Sequence, residues 1–275
     1  MDSITASSWT REQWAAVWLW LYERVVPLAI EDDNGQGIQG CGQLLTIGSG
    51  TYLVTAAHVF KNIDPADIGI PLSPYSTHFT RLGTGSIRST QGTPTTDIDV
   101  AIFPIPPEVL TKLEWRQIPL NNLVAIGPEA SPSEYLLFGY PDNLVIHQGD
   151  WLHANPVLLR TSRYRGPKTY KQFHPLVNLL VQYADKATGQ NGDEQKAPDL
   201  HGISGTPVFE IIFARSSSDL WIPEAHLGQI AIETSYTAPG SPNRYVISTL
   251  WSIIARVFEQ IDPLAAAQIK RALLP

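Results

Sequence analysis

The segment LHGISGTPVF, residues 200–209, places one serine between two glycines. Gly202 precedes Ser204 by two residues, and Gly205 follows it directly. Glycine permits backbone angles that turn successive N–H groups to one side, where they can hold the oxygen of an oxyanion. Ser204 is therefore a candidate nucleophile, although such a short pattern is also typical of an ordinary turn.

Two upstream segments contain the partners that a serine nucleophile needs. In LVTAAHVF, residues 53–60, two small alanines precede His58 at the end of a predicted strand. In TDIDVAIF, residues 96–103, Asp99 begins an apolar strand. Asp97 shares that strand face, but Asp99 is the better candidate because the alternating apolar residues begin directly after it. Taken alone, His58 also fits a structural histidine and Asp99 a turn residue.

The order of the three residues distinguishes between types of catalytic site. Nucleophilic serine catalysis needs a base within hydrogen-bonding reach and an acid that orients the base. The order His58, Asp99, Ser204 is that of chymotrypsin, whereas subtilisin runs Asp, His, Ser and the α/β-hydrolases run Ser, Asp or Glu, His. The α/β-hydrolase elbow also needs a glycine two residues after the serine, where this chain has Thr206.

Helical patterns occur only near the two ends of the chain. Thr10 and Gln13 form a capping-box pattern before apolar residues at helical spacing, which predicts a helix over about residues 11–24. Its many aromatic residues favour either a helix packed on the body of the protein or a docking surface for another protein. Near the other end, Asp262 and Pro263 separate two predicted helices.

Between these helices, about ten short apolar runs alternate with clusters of Gly, Pro, Asn, Asp and Ser. This pattern predicts an all-β chain, either a sandwich or a pair of barrels. A connector around residues 115–130 divides the strands. We therefore expect an N-terminal helical extension (1–24), a first β-barrel (25–120), a second β-barrel (121–250) and C-terminal helices (251–275). Residues 185–199 are predicted to be a long, polar, acidic loop.

Composition excludes several function classes. The 275 residues are 43% hydrophobic, with 16% charged residues and a formal net charge of −7, which disfavours disorder and a nucleic-acid partner. The one basic stretch, residues 160–171, is expected to be a solvated loop. The early apolar run of residues 14–22 is too short to span a membrane. Cys41 is the only cysteine, which excludes an internal disulfide and predicts a cytoplasmic protein.

Together, the segments TAAHV, DVAI and GISGTPVF resemble the trypsin/chymotrypsin-like serine peptidases, especially the bacterial and intracellular members without disulfides. LFGYPDN, residues 137–143, resembles the strand that opens their second barrel. The resemblance covers about residues 25–262. It implies two perpendicular six-stranded β-barrels with the site in the cleft between them. It also implies that Ser204 attacks, His58 transfers protons, Asp99 orients His58, and the N–H groups of Gly202 and Ser204 form the oxyanion hole, without a metal or cofactor.

The chain departs from this family pattern directly before the serine. Many members have aspartate there, and in zymogens it pairs with a newly cut N-terminus, whereas this chain has Ile203. We therefore expect that proteolytic trimming is not the switch, so active protein should keep residues 1–24.

The substrate pocket is less well defined by the sequence. The residue six before the serine, often at the base of the pocket, is Pro198, with Asp199 beside it. Glu233 falls on the predicted pocket wall, where it would narrow the pocket or attract a basic side chain. The alternative for Asp199 and Glu233 is a solvated loop carboxylate. His201 is expected on the leaving-group side.

These features favour a serine endopeptidase that cleaves cytoplasmic proteins or peptides and binds neither nucleic acid nor membranes. A variant of this hypothesis is a latent protease that a regulatory protein partner opens. The alternative from another class is a weakly active or inactive binding module on a protease scaffold, because fold does not dictate function. A non-peptide esterase is a third hypothesis.

Overall fold

The structure is a computed structural model of the chain. It describes residues 9–32, 35–83, 88–89, 98–126, 133–148, 151–169, 173–183, 185–190, 192–212, 221–237 and 241–274. Asp97 lies outside these residues.

Most of the regular secondary structure in the described residues is antiparallel β-structure, which forms two sheets and one separate ribbon. The first sheet has seven strands: β1 (Val25–Asp32), β2 (Gly35–Ile47), β3 (Gly50–Thr55), β4 (Gly69–Pro71), β5 (Phe79–Arg81), β6 (Arg88–Ser89) and β7 (Ala101–Pro104). Their order across the sheet is β5-β4-β1-β2-β3-β7-β6. A short 3₁₀ helix, Ala57–Phe60, follows β3 and carries His58.

The second sheet has eight strands: β8 (Glu134–Gly139), β11 (Val157–Ser162), β12 (Asn178–Gln182), β13 (Lys186–Thr188), β14 (Glu194–Lys196), β15 (Pro207–Ile211), β16 (Leu227–Tyr236) and β17 (Tyr245–Leu250). Their order is β12-β17-β16-β15-β8-β11-β13-β14. A separate ribbon pairs β9 (Val145–Gln148) with β10 (Trp151–Ala154).

Side-chain alternation along β8 explains how one strand serves two cores. Successive strand residues point to opposite faces. Leu136 and Phe138 accordingly join a cluster with Val25, Ile38 and Cys41 of the first sheet. Tyr135 and Leu137 join the core of the second sheet instead. The two sheets are thereby packed against each other on the side that carries Cys41.

The described residues also form five helices: α1 (Arg11–Tyr22), α2 (Pro107–Leu110), α3 (Pro223–His226), α4 (Trp251–Phe258) and α5 (Pro263–Ala272). The predicted capping box of α1 is confirmed, because Thr10 and Gln13 exchange side-chain to backbone hydrogen bonds. The predicted C-terminal helices are also confirmed, and Asp262 caps the second. Tyr52 of the first sheet donates to the same aspartate over 2.7 Å, so the end of the chain returns to the first sheet.

Helix α1 packs on the body of the protein, as one of the two interpretations predicts. Its Trp14, Val17, Trp20 and Leu21 are buried, and the Trp20 ring lies 5.5 Å from that of Phe209. The other interpretation, a docking surface for another protein, stays a prediction, although Trp14 itself is only 7% exposed.

Two features of the fold differ from the sequence predictions. The all-β class is confirmed, but the strand pairings of the described residues give sheets of seven and eight strands and do not show two closed six-stranded barrels. The loop predicted over residues 185–199 contains the β13–β14 hairpin, closed by a Gly189–Asp193 backbone hydrogen bond and a Lys186–Glu194 ion pair. The boundaries between the four predicted units stay a prediction.

Candidate active site

Asp99 holds His58 at two points. Its Oδ2 lies 2.5 Å from the ring Nδ1 of His58, and its Oδ1 accepts the backbone N–H of His58 over 2.8 Å. The aspartate also lies directly before β7, which pairs with β3, the strand that leads into His58. With neutral imidazole, this contact fixes the proton on Nδ1 and leaves Nε2 as the nitrogen that can act as a base.

The backbone of the serine loop needs both glycines. Gly202 and Gly205 have φ values of +94° and +92°, in the left-handed region. A Cβ on Gly205 would lie 2.1 Å from the carbonyl oxygen of Cys41 and from Oγ1 of Thr55. No other residue fits there, so the glycine allows close contact between the serine loop and the first sheet.

Hydrogen bonds join that loop to β2, the strand that pairs with β3 in the first sheet. The N–H of Cys41, on β2, donates to the carbonyl oxygen of Ser204 over 2.7 Å. The Cys41 carbonyl accepts the Thr55 hydroxyl from the end of β3 over 2.5 Å. The Cys41 thiol donates to the Gly202 carbonyl over 3.3 Å. Cys41 was expected only to report the redox compartment; its structural role depends on pairing between distant segments, which the sequence does not display.

The two N–H groups predicted to form the oxyanion hole belong to this loop. Within the described part of the chain, the N–H groups of Gly202 and Ser204 donate to no other protein atom. Ser204 itself is buried, with 9% of the residue exposed. Two adjacent, unused N–H donors beside a serine can stabilise an anionic oxygen that forms on an attacked carbonyl.

Ile203 fills the position of the missing aspartate with apolar packing. It is 1% exposed and belongs to the core cluster of the second sheet, with Leu137, Leu200 and Val208. Its N–H donates to the Leu200 carbonyl over 3.1 Å. A buried ion pair is therefore unnecessary to anchor this loop, because the hydrophobic side chain already fixes it in the core.

The structure places Glu233 differently from the sequence expectation. It is 0% exposed on β16, so the alternative of a solvated loop carboxylate is wrong for this residue. Burial raises the pKa of its carboxyl to about 8; nearby His58 lowers this pKa and Asp99 raises it. The hydroxyl of Ser204 also lowers it. One buried carboxyl therefore lies within electrostatic reach of all three predicted catalytic residues.

The other predicted pocket residues lie at the surface beside the loop. Asp199 is exposed, as its alternative interpretation expects, and accepts a hydrogen bond from the Tyr236 hydroxyl over 3.1 Å. Burial and this carboxylate raise the pKa of Tyr236. The Pro198 carbonyl accepts the Tyr183 hydroxyl over 3.2 Å. The ring Nδ1 of exposed His201 lies 3.8 Å from Oδ2 of Asp142, a residue that the sequence motifs do not single out.

Three further features of the described residues bear on the site. They contain no group of three or more His, Cys, Asp or Glu side chains arranged to hold a metal. Among them, no helix has the length and apolar character to cross a membrane. A cavity of about 850 Å³ between α1 and the second sheet includes none of the predicted site residues.

Comparisons with known proteins reveal similarity only at the level of structure. No protein-family model and no curated protein matches the sequence. The crystal structure of the scabies mite inactivated protease paralogue S-I1 matches with a TM-score of 0.52 at 15% identity, over 88% of this chain and 96% of that one. A structure from work on the Sesbania mosaic virus VPg protein matches with a TM-score of 0.44 at 17% identity, over 83% and 85%. The mite match shows that this chain shares a protease-like fold.

Proposed function

We propose that this protein is a serine endopeptidase. The observation that supports this most strongly is the Asp99–His58 pair after β3, together with a serine loop that is bonded to the neighbouring strand β2. Nucleophile, base and orienting acid are the three parts that serine catalysis requires.

The proposed reaction uses protein groups throughout. Ser204 Oγ attacks the scissile carbonyl carbon while His58 Nε2 takes the hydroxyl proton. The carbonyl oxygen becomes anionic against the N–H groups of Gly202 and Ser204. His58 then gives its proton to the leaving amine, which departs and leaves an acyl-serine. Water, deprotonated by His58, releases the acid and restores the hydroxyl.

Electrostatics would supply much of the rate. Asp99 stabilises the imidazolium that forms when His58 takes the proton. Each oxyanion donor contributes about 3–4 kcal/mol to the transition state. The left-handed glycines hold these donors in place before substrate arrives, which avoids reorganisation during the reaction.

The proposed substrate is a protein or peptide chain that lies across the two sheets. Asp199 and Pro198 would contact its acyl side, and His201 would contact its leaving-group side. The arrangement of the sheets as two perpendicular barrels, the cytoplasmic location and a regulatory partner are parts of the same proposal; the location is supported by the single, buried cysteine.

A fluorophosphonate probe tests the proposal, because it reacts with activated serines. We expect wild type to be labelled at Ser204, and Ser204→Ala and His58→Ala to be unlabelled. Matched controls are Ser252→Ala on α4 and His153→Ala on β10, both exposed, which should label like wild type. Cleavage of a diverse peptide library by wild type, with Ser204→Ala as control, then defines the substrate.

Absence of labelling would favour the binding-module hypothesis. The mite neighbour is itself described as inactivated, so a protease-like fold does not establish activity. Partner binding that is unchanged in Ser204→Ala, together with an unlabelled wild type, would support that second function.

A further inference from the structure

Glu233 is fastened to the serine loop by its backbone. The N–H of Gly205 donates to the Glu233 carbonyl over 2.9 Å, and the N–H of Glu233 donates to the Thr206 carbonyl over 2.8 Å. These are the two residues that directly follow Ser204. The glutamate therefore cannot move relative to the nucleophile without breaking both bonds.

The side chain of Glu233 is buried without compensation. Among the described residues, no donor reaches Oε1 or Oε2 with hydrogen-bond geometry, although the Ser204 hydroxyl lies close enough to affect the carboxyl. No described lysine or arginine forms an ion pair with it. A buried carboxylate of this kind is costly, and an unsatisfied polar group at such a depth calls for an explanation.

The titratable groups that face this carboxyl come from four elements. They are His58 of the 3₁₀ helix, Asp99 before β7, Cys41 of β2 and Tyr236 of β16 itself. Burial raises the pKa of Cys41 to about 12 and raises that of Tyr236. Both stay neutral near pH 7, so the facing groups that can carry charge are Asp99 and, once it has taken a proton, His58.

We propose that Glu233 is a positioning residue for Ser204. In its neutral form, Glu233 leaves the Ser204 hydroxyl to His58. When it releases its proton to solvent, the resulting carboxylate accepts the hydroxyl and withdraws it from His58. The reason is that a charged acceptor forms the stronger hydrogen bond. This inference rests on the proposed function and adds an alkaline limit to it.

The pH dependence of fluorophosphonate labelling tests the inference. For wild type we expect the second-order rate constant to fall at alkaline pH with a midpoint near that of Glu233, about 8. Glu233→Gln keeps the size and the neutral charge, so its rate constant should lack this decline. At pH 9 it should exceed wild type by about 10-fold, since one pH unit above a midpoint leaves about a tenth of the acid neutral.

A matched variant controls for the substitution itself. Glu210→Gln lies on the neighbouring strand β15, outside the site, and should keep the wild-type profile. An alkaline decline that persists in Glu233→Gln would overturn the inference. A folded Glu233→Gln protein with labelling lost at every pH would overturn it too, because the neutral form would then not suffice.

A titration without turnover separates this inference from the proposed function. In protein with ¹³C-labelled glutamate, the carboxyl resonance that disappears in Glu233→Gln should titrate near pH 8. It should titrate at higher pH in Ser204→Ala, since the hydroxyl lowers this pKa. A midpoint near the ordinary 4.5 would overturn the inference. Absence of labelling at every pH, with this titration intact, would overturn the proposed function and leave the Glu233–Ser204 contact supported.

Discussion

Asp99 binds His58 through both of its carboxylate oxygens, one to the imidazole Nδ1 and one to the backbone N–H. The two contacts tie the orientation of the ring to the position of the main chain. Rotation of the imidazole away from Asp99 would break the contact with Nδ1 but not the hydrogen bond from the backbone N–H. The backbone would therefore keep its position, and the ring could return to Asp99.

Asp99→Asn should therefore preserve the backbone contact and damage the chemistry. The amide oxygen can still accept the His58 N–H, but its NH₂ would face Nδ1 and favour the wrong tautomer. We expect fluorophosphonate labelling of Ser204 to slow by about 10,000-fold. Asp64→Asn, at the cap of another 3₁₀ helix, is the matched control and should label normally. Equal labelling rates for Asp99→Asn and wild type would contradict the orienting role.

Gly205→Ala should lower the free energy of unfolding by more than the strain of its positive φ alone explains. The new Cβ would meet backbone and side-chain atoms at 2.1 Å, and φ is +92°. Gly83→Ala provides the control, because Gly83 has φ of +81° with no atom within 4 Å of such a Cβ. We expect a loss of about 1–2 kcal/mol for the control and about 3 kcal/mol or more for Gly205→Ala in urea unfolding. Similar losses would mean that the loop has room to shift.

Ile203→Asp should destabilise the protein although it restores the family pattern. The aspartate would be buried in an apolar cluster. We expect a loss of at least about 3 kcal/mol in the free energy of unfolding, together with loss of labelling. Ile203→Val should cost about 1 kcal/mol and keep labelling. A stable, reactive Ile203→Asp protein would show that apolar packing is not what holds the loop.

The stability difference between Glu233→Gln and wild type should depend on pH. The folded pKa of Glu233, about 8, lies above the ordinary 4.5, so folding favours the protonated acid. This contribution is fully present below pH 4.5 and is lost as pH rises through 8. The variant should therefore gain on the order of 3–5 kcal/mol relative to wild type between pH 5 and 9, measured by urea unfolding. The stability difference between Glu210→Gln and wild type should be the same at pH 5 and at pH 9. The same result for Glu233→Gln would refute the raised pKa of Glu233.

Local patterns were sufficient to predict α1, the two C-terminal helices and the main strands of both sheets, but not α2, α3 or the β9–β10 ribbon. The capping box at Thr10 and Gln13 and the Asp262–Pro263 helix start are satisfied by neighbours in sequence. The three site motifs were also visible, because each stands at the end or start of an apolar strand. The Asp99–His58 contact confirms that two of these motifs meet in space.

Features that depend on contacts between residues far apart in the chain could not be predicted from local patterns. Glu233 follows three apolar residues on β16, and the groups beside its buried carboxyl, His58, Asp99 and Cys41, come from the first half of the chain. The β13–β14 hairpin is a different case, because it forms locally in a polar segment that has no apolar alternation to reveal its strands. The number of strands in each sheet likewise depends on pairings such as β15 with β8, which are far apart in the chain.

The position of Cys41 also allows the local opening of the site to be measured. Its thiol is fully buried between the serine loop and the first sheet, and it is the only thiol in the chain. A thiol reagent can reach it only when these segments separate, and burial raises its pKa to about 12, which keeps it unreactive until then. The rate at which such a reagent modifies the native protein therefore measures how often the nucleophile loop parts from the sheet that carries its base.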